Sequence, residues 1–250
     1  MDLALVIITR DEERDIERCI RSVPFADKVI VVDSGSSDST VEVAESLGAE
    51  VYTHEFTDFS SQKQWAADRA ETGWILVLDA DEYLNPELAG EIPGAIAKDD
   101  GHNGFTLPFR VLYMGRLMRF GPWSGERHLR LFRRGMAGYG SSSVHEGLVL
   151  HEGRPGHLKN GFVVHESYSS VAEQVEKMKE YAELWAAQRH GGGEASSWHR
   201  IALRPFWRFF SGYFLRGGFL EGVPGLAASA VSAYYVLLKW LLLYEKGRQR

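Results

Sequence analysis

The chain has 250 residues, of which 44% are hydrophobic and 25% charged. This length and composition exclude a disordered chain and allow one large domain, or one domain with an appendage. A single cysteine, Cys19, excludes an internal disulfide framework and suits a reducing compartment. The first apolar stretch follows an Asp and precedes an acidic run, which is not typical of a secretory signal. We therefore expect a cytoplasmic protein.

The net charge of −6 is distributed unevenly along the chain. From residue 196 to the end there are eight basic and two acidic residues, so this tail carries +6 and the remaining chain −12. General nucleic-acid binding would need a basic body, so the distribution argues against it. A basic tail rich in aromatic residues predicts contact with an anionic membrane surface instead.

The N-terminal part of the chain alternates between apolar strand segments and helical segments. Strands are predicted at 3–8, 28–32, 51–53 and 74–78, and helices around 16–23, 41–47 and 60–70. Continuous apolar strands separated by helices predict a parallel sheet that is covered on both faces. Ligands bind such sheets beyond the carboxyl ends of the strands, where this sequence places polar residues.

The pattern changes after residue 104. Extended segments are predicted at 105–114, 128–133, 144–150 and 162–165. Ser170 and Glu173 form a capping box that predicts a helix ending near residue 188. Two apolar segments follow, at about 201–219 and 223–244. We therefore expect an α/β domain over 1–190, with a nucleotide-binding half (1–100) and an acceptor half (101–190), and a C-terminal helical segment over 191–250.

Asp79 and Asp81 directly follow the predicted strand that ends at residue 78. Two carboxylates at this spacing can reach one hard divalent cation, which can bridge the oxygens of a diphosphate. The alternative interpretation is a turn in which the aspartates cap the next segment.

A second acidic loop favours the metal-binding interpretation. Asp33 follows the strand 28–32 and is succeeded by a Gly/Ser-rich turn and a helix start. A carboxylate at this position can accept a hydrogen bond from a ribose hydroxyl or a base imide. We also expect Asp38 or Ser39 to cap the helix. The two loops together predict a nucleotide-sugar site.

Three motifs resemble those of a known family. They are Ile8-Thr9-Arg10-Asp11-Glu12-Glu13, Val31-Val32-Asp33-Ser34-Gly35-Ser36-Ser37-Asp38-Ser39-Thr40 and Leu78-Asp79-Ala80-Asp81-Glu82. In combination they resemble glycosyltransferase family 2, the inverting enzymes of the GT-A fold. The later segments 129–134, 144–146 and 164–168 look like the branch that contains the lipopolysaccharide inner-core β-1,4-glucosyltransferase. The resemblance implies a Rossmann-like, mainly parallel sheet flanked by helices.

The resemblance also implies roles for particular residues at the nucleotide. Thr9, Glu12 and Asp33, together with Ser34 and Gly35, would hold the nucleoside of a nucleotide-sugar, which the resemblance implies to be uridine.

A metal site is implied as well. Asp79 would lie near the ribose and the metal, and Asp81 would be the main metal ligand. A late histidine completes the metal site in related enzymes, and His165 is the candidate here, with His145 as its rival. A structural histidine at a strand end is the alternative interpretation. An imidazole beside carboxylates suits Mn²⁺ somewhat better than Mg²⁺.

Inversion is a single in-line displacement that needs one base for the proton of the acceptor hydroxyl. Glu146 is the predicted base, with Glu126 and Glu82 as alternatives. A surface position on a loop is the other interpretation of Glu146.

Basic and aromatic residues provide further candidates for ligand binding. Lys63, Arg127 and Arg130 are candidates for binding the diphosphate, although each would equally suit a solvated face. Trp123 could stack on an acceptor sugar or serve as a buried anchor.

The C-terminal segments interleave arginines with large aromatic residues. The first, at about 201–219, suits a helix lying in the headgroup layer of a membrane. The second, at 223–244, is near bilayer-spanning length, but its polar residues favour an amphipathic helix. Packing of both on the catalytic domain or on a second subunit of a homo-oligomer is the alternative.

These patterns predict an inverting, metal-dependent glycosyltransferase on the inner face of a bacterial inner membrane. It would move a hexose, with glucose from UDP-glucose as the leading candidate, onto a lipid-linked saccharide such as the lipopolysaccharide inner core. A polyprenyl-phosphate sugar synthase and a non-catalytic nucleotide-sugar-binding membrane scaffold are the alternatives. The absence of glycine from the loop 9–13 argues against a nucleotidyltransferase.

Overall fold

The computed structural model describes residues 1–98, 100–139, 147–168 and 170–248. The chain forms two compact units. Unit 1 contains Met1–Phe109 and Gly125–His165, and unit 2 contains Arg110–Ser124 and Glu166–Arg250. The sequence places a domain boundary near residue 190, whereas unit 1 ends at His165 and the segment 110–124 belongs to unit 2.

The first half of unit 1 alternates strands and helices as predicted. Its elements are β1 (Leu3–Thr9), α1 (Ile16–Arg21), β2 (Lys28–Asp33), α2 (Thr40–Ser46), β3 (Glu50–Thr53), α3 (Phe59–Ala67), β4 (Trp74–Asp79), β5 (Glu82–Leu84) and α4 (Pro86–Lys98). The sequence predicts no counterpart of β5 or α4.

Between residues 104 and 165 the described part of the chain forms strands without intervening helices, which confirms the change of pattern after residue 104. The strands are β6 (Gly104–Tyr113), β7 (Arg116–Leu117), β8 (Arg127–Arg133), β9 (Ala137–Tyr139), β10 (Leu148–Leu150), β11 (Gly156–His157) and β12 (Val163–His165). The last residues of β6 and all of β7 belong to unit 2. Residues 144–146 of one predicted segment lie outside the described part of the chain.

The main sheet joins a parallel half to an antiparallel half. Within the described residues the strand order is β3-β2-β1-β4-β8-β6-β12-β5. The strands β3, β2, β1 and β4 are parallel, and β8 runs antiparallel to both β4 and β6. The predicted parallel sheet is therefore confirmed for the N-terminal half.

Both faces of the parallel strands are covered, which explains their continuous apolar sequences. All seven residues of β1 are buried. Leu3, Leu5 and Ile7 belong to a core that includes residues of α1 and α4. The alternate residues of β1 belong to a second core that includes Ala66 and Ala67 of α3. Because each face has its own helical cover, the positions of β1 before Thr9 are all apolar.

Unit 2 is mainly helical. It contains α5 (Val171–Gly191), α6 (Trp198–Phe210), a π-helical turn (Ser211–Leu215), a 3-10 turn (Gly218–Glu221) and α7 (Val223–Arg248). The Ser170 hydroxyl accepts a hydrogen bond of 3.1 Å from the Glu173 N–H, which confirms the predicted cap of α5. Both α5 and α6 pack on α7, and this packing places α5 in unit 2. Among the described helices, α7 alone is long and apolar enough to cross a membrane, judged by length and composition.

Candidate active site

The parallel register brings the polar ends of three strands to one edge of the sheet. Thr9 of β1 lies opposite Asp33 of β2, and Ile8 lies opposite Asp79 of β4. Thr9 is buried, and its hydroxyl has no hydrogen-bond partner within the described parts of the chain. A buried hydroxyl without a partner is costly, so this atom is suited to bonding a ligand at the edge.

The loop after β2 is shaped by its own acidic residues. The Asp33 carboxylate accepts hydrogen bonds of 2.9 Å from the backbone N–H groups of Gly35 and Ser36. Gly35 has a φ of 88°, which favours glycine at this turn. Asp38 accepts a bond of 3.0 Å from the Thr40 N–H at the start of α2, so of the two expected caps Asp38 is the one that bonds, and the Ser39 side chain makes no capping bond. Asp33 therefore organises its own loop. Both N–H groups donate to Oδ2, whereas Oδ1 accepts one bond, from the Ser36 hydroxyl, and can still accept another from a ligand.

Hydrogen bonds tie this loop to its neighbours. The Ser34 N–H donates to the Thr9 carbonyl over 3.0 Å, and the Glu12 N–H donates to the Thr40 hydroxyl over 2.8 Å. The Ser34 hydroxyl accepts a bond of 2.9 Å from the side-chain amide of Gln62. The residues predicted to hold a nucleoside are thus connected parts of one edge.

A buried ionic network lies beside this edge. Lys63 Nζ of α3 is 2.6 Å and 2.8 Å from the two carboxylate oxygens of Asp79. Arg130 Nη2 of β8 is 3.3 Å from Asp79 and 2.7 Å from Glu82. The second oxygen of Glu82 accepts a hydrogen bond of 3.0 Å from the Asp79 N–H. The four charges cancel within the network.

The network shifts the pKa values of its two acids in opposite directions. Burial opposes ionisation of Asp79, but the charges of Lys63 and Arg130 hold its pKa well below the ordinary value. Burial raises the pKa of Glu82, and the negative charge of Asp79 adds to that rise against the effect of Arg130. Asp79 therefore carries the firmly ionised carboxylate of the pair.

Asp81 and His165 meet at the open side of the same turn. Antiparallel pairing of β12 with β5 places His165 opposite Glu82, and His165 Nε2 lies 3.2 Å from Asp81 Oδ2. Burial disfavours protonation of His165, but the hydrogen bond and charge of Asp81 raise its pKa above the ordinary value. The side chains remain 31% (His165) and 23% (Asp81) exposed, so a ligand can reach both.

This pair has the donor atoms that a divalent cation requires. A carboxylate oxygen and an imidazole nitrogen suit Mn²⁺ or a similar ion. Asp79, the other predicted ligand, is occupied by Lys63 and Arg130 in this arrangement. No group of three ligating side chains collects within the described residues. Asp81 and His165 would therefore hold a cation only together with oxygen ligands from a bound molecule.

Other predicted residues have different surroundings. His145 and Glu146 lie outside the described residues. Glu82, an alternative base, is 1% exposed and bound to Arg130. Arg127 donates to Thr106 and to the Leu158 carbonyl, so it holds strands together.

The remaining two candidates are in contact with protein groups. The Glu126 carbonyl accepts a bond of 3.0 Å from the Phe109 N–H, and its side chain is half-buried. The half-buried Trp123 packs in unit 2 against Tyr113 and Tyr168, with ring centroids 5.2 Å and 6.5 Å away, as expected of an anchor.

Two residues near this edge have no predicted role. Gln62 is fully buried and bridges Ser34 to His54, with its carbonyl oxygen 2.7 Å from His54 Nδ1. Its position on the buried side of α3, one turn before Ala66, is the signal that identifies it. The Tyr139 hydroxyl has no partner among the described residues, and burial raises the pKa of Tyr139 strongly.

Comparison with known proteins assigns the chain to a family. The profile of Glycosyl transferase family 2 matches residues 4–117. An uncharacterized glycosyltransferase of Rickettsia bellii is 32% identical, over 99% of this chain and 87% of the relative. The chain belongs to glycosyltransferase family 2. The resemblance of the three motifs is thereby confirmed, and so is the predicted GT-A type of sheet with an apolar C-terminal helix.

Two further proteins are similar to this glycosyltransferase. The lipopolysaccharide core biosynthesis glycosyltransferase LpsC of Rhizobium meliloti is 29% identical, over 98% of this chain and 93% of LpsC. The crystal structure of S. aureus TarS 1-349 is 16% identical, covers 100% of this chain and 92% of the TarS chain, and has a TM-score of 0.49.

We predict that the charge of Glu82 stabilises the folded protein. Glu82→Gln removes the charge that faces Arg130 and one of the two acceptor oxygens, so we expect the free energy of unfolding to fall by roughly 1–3 kcal/mol. Denaturant unfolding followed by circular dichroism measures this change. The matched control is Glu17→Gln, which breaks an exposed pair with Arg21 and should cost less than about 0.5 kcal/mol. Equal stability of the two variants would contradict the assigned role of Glu82.

Proposed function

We propose that this family-2 glycosyltransferase transfers a hexose, glucose from UDP-glucose, with inversion onto a lipid-linked saccharide of the lipopolysaccharide core type. The observation that carries the proposal is the convergence of Thr9, Asp33 and the Asp79–Asp81 turn at one sheet edge, with His165 beside Asp81. The name of LpsC supports the acceptor class. The basic, aromatic tail supports work at the inner face of the inner membrane.

The donor is bound in two parts. The loops after β1 and β2 hold the nucleoside, with the Thr9 hydroxyl and the Asp33 carboxylate as its polar partners. Uridine follows from the resemblance of these loops to the family. The diphosphate lies towards Asp81 and His165. These two residues would hold a divalent cation, Mn²⁺ or Mg²⁺, which would supply positive charge to offset the charge of the departing diphosphate.

The transfer is one displacement at the anomeric carbon. The acceptor oxygen forms a bond to this carbon while the bond from the carbon to the diphosphate oxygen breaks, and the hydroxyl proton passes to a base. Lys63 and Arg130 place positive charge next to the Asp79 turn and offset its carboxylates. Glu146 remains our predicted base.

A polyprenyl-phosphate sugar synthase is the second candidate. One observation favours it: α7 has the length and composition of a membrane-crossing helix. A non-catalytic scaffold is disfavoured, since Asp33, Asp79, Asp81 and His165 are all present at one edge.

Nucleotide titration tests the donor and the metal together. In calorimetry with UDP, UDP-glucose and GDP-mannose, we expect the uridine nucleotides to bind in Mn²⁺. Because Asp81 would hold the cation, Asp81→Ala should weaken binding in Mn²⁺ by about tenfold or more and leave binding in chelator unchanged. Asp68→Ala, at an exposed position of unit 1, is the control and should bind as the unchanged protein does. Failure of every nucleotide to bind would overturn the proposal.

Substitution of the predicted base has a separate effect. Glu146→Gln cannot accept the proton, so kcat for transfer from UDP-glucose should fall by about 10²–10⁴-fold while UDP affinity stays unchanged. Steady-state assays of UDP release, with Glu152→Gln at an exposed position as the control, measure this. Unaltered kcat in Glu146→Gln would assign the base to another residue.

A further inference from the structure

Helix α6 of unit 2 presents several large apolar side chains outward, while Ile201 packs against Trp240 and Leu243. None of its residues is buried, and the structure describes the helix in full. Leu203, Phe206 and Trp207 are 60%, 68% and 59% exposed. Arg200 and Arg204, one turn apart, point instead to α7, with guanidinium carbons 4.9 Å and 4.5 Å from the ring centre of Trp240. The helix is therefore amphipathic in the reverse sense of a helix that packs on a water-soluble core.

The exposed apolar surface continues beyond α6. The ring of Phe210 lies 6.2 Å from that of Phe206 and 5.3 Å from that of Phe214, which joins the helix to the π-helical turn. Phe214 and Leu215 are half exposed or more. We call Leu203, Phe206, Trp207, Phe214 and Leu215 the apolar face. A connected surface of this kind marks an interaction site rather than a face that contacts only water.

Positive charge collects around two tryptophans next to this helix. The rings of Trp185 on α5 and Trp240 on α7 are 5.0 Å apart. Arg189 and Lys239 lie over the Trp185 ring, at 5.5 Å and 4.9 Å from its centre. Arg200 and Arg204 lie over the Trp240 ring. We call these four side chains the cation cluster.

The cation cluster carries more positive charge than its acidic neighbour balances. Glu194 lies 2.8 Å from Arg189 and 2.7 Å from Arg200. Burial, and then the charges of Arg208, Arg189 and Arg204, lower the pKa of Lys239. Cations held together against their mutual repulsion attract an anion, and arginine binds phosphate oxygens through two parallel hydrogen bonds.

Charge distinguishes between the molecules that could cover this surface. Two copies that met through their tails would bring +6 against +6, which is repulsive. Nucleic acid would match the charge but would leave the apolar face in water. A bilayer of anionic phospholipids matches both features, because its phosphates attract the cations and its acyl boundary accepts the rings.

We propose that α6 and the π-helical turn form an interfacial lipid-binding surface. The apolar face enters the boundary between headgroups and acyl chains, and the cation cluster binds the phosphate groups of anionic lipid headgroups. This inference deepens the proposed function and rests on its lipid-linked acceptor, since it specifies how the enzyme meets the membrane that carries that acceptor.

Vesicle flotation of the full-length protein tests the surface. The protein should float with vesicles of equal parts phosphatidylcholine and phosphatidylglycerol, bind phosphatidylcholine vesicles at least tenfold more weakly, and lose affinity as salt rises. Phe206→Ser with Trp207→Ser should reduce affinity for the anionic vesicles by tenfold or more, because two large side chains no longer enter the boundary. The matched control is Leu184→Ser, a 67% exposed position on α5, which should bind as the unchanged protein does.

Charge is tested separately from apolar burial. Arg204→Gln should weaken binding to anionic vesicles by about fivefold and leave weak binding to phosphatidylcholine unchanged. Arg134→Gln, at an exposed position in unit 1, is its control and should have no effect. Circular dichroism checks that each variant is folded.

Three outcomes would overturn the inference. The first is that the unchanged protein does not float with the vesicles. The second is that the variant with both Phe206 and Trp207 changed still floats. The third is that this variant floats normally but no longer self-associates, which would make a second copy the occupant of the apolar face. UDP titration of the same samples separates this inference from the proposed function. Intact UDP binding without flotation removes only the lipid surface, and flotation without UDP binding removes only the donor site.

Discussion

The site depends on one buried ion pair, between Glu82 and Arg130. A carboxylate that is 1% exposed needs a positive partner, since removing one member of such a pair leaves a charge buried without compensation. Arg130 supplies that partner from β8, and the second oxygen of Glu82 fixes the Asp79 N–H. The pair therefore fixes the shape of the Asp79–Asp81 turn. In this shape the Asp79 carboxylate contacts Arg130, and the Asp81 carboxylate lies beside His165.

The two halves of the sheet contribute different parts of the candidate site. Parallel pairing aligns the carboxyl ends of β1, β2 and β4, which brings Thr9, Asp33 and Asp79 to one edge. Antiparallel pairing then brings later parts of the chain to that edge. Pairing of β8 with β4 brings Arg130 there, and pairing of β12 with β5 brings His165. The residues that we propose to hold the nucleoside thus come from the first half of unit 1, whereas the proposed metal site also needs His165 from the second half.

The sequence predicts the parallel strands and the acidic edge because continuous apolar runs and the polar residues after them are local signals. It does not predict α4, because Gly90, Pro93 and Gly94 have low helix propensity. The buried residues of α4, which are Leu88, Ile92 and Ile96, nevertheless have helical spacing. The pairing of Lys63 and Arg130 with Asp79 is also absent from the prediction. It depends on how α3 and β8 pack on β4, and residue spacing does not encode such long-range contacts.

Electron–nuclear double resonance of Mn²⁺ bound with UDP tests whether His165 and a diphosphate share a metal ion, because it identifies the nuclei next to the metal. We expect coupling to the phosphorus nuclei of the diphosphate and to one imidazole nitrogen, with loss of the nitrogen coupling alone in His165→Ala. The control variant His157→Ala, whose ring contacts Thr106, should keep both couplings. A spectrum with neither coupling would contradict the assignment of this edge as a metal-dependent nucleotide-sugar site.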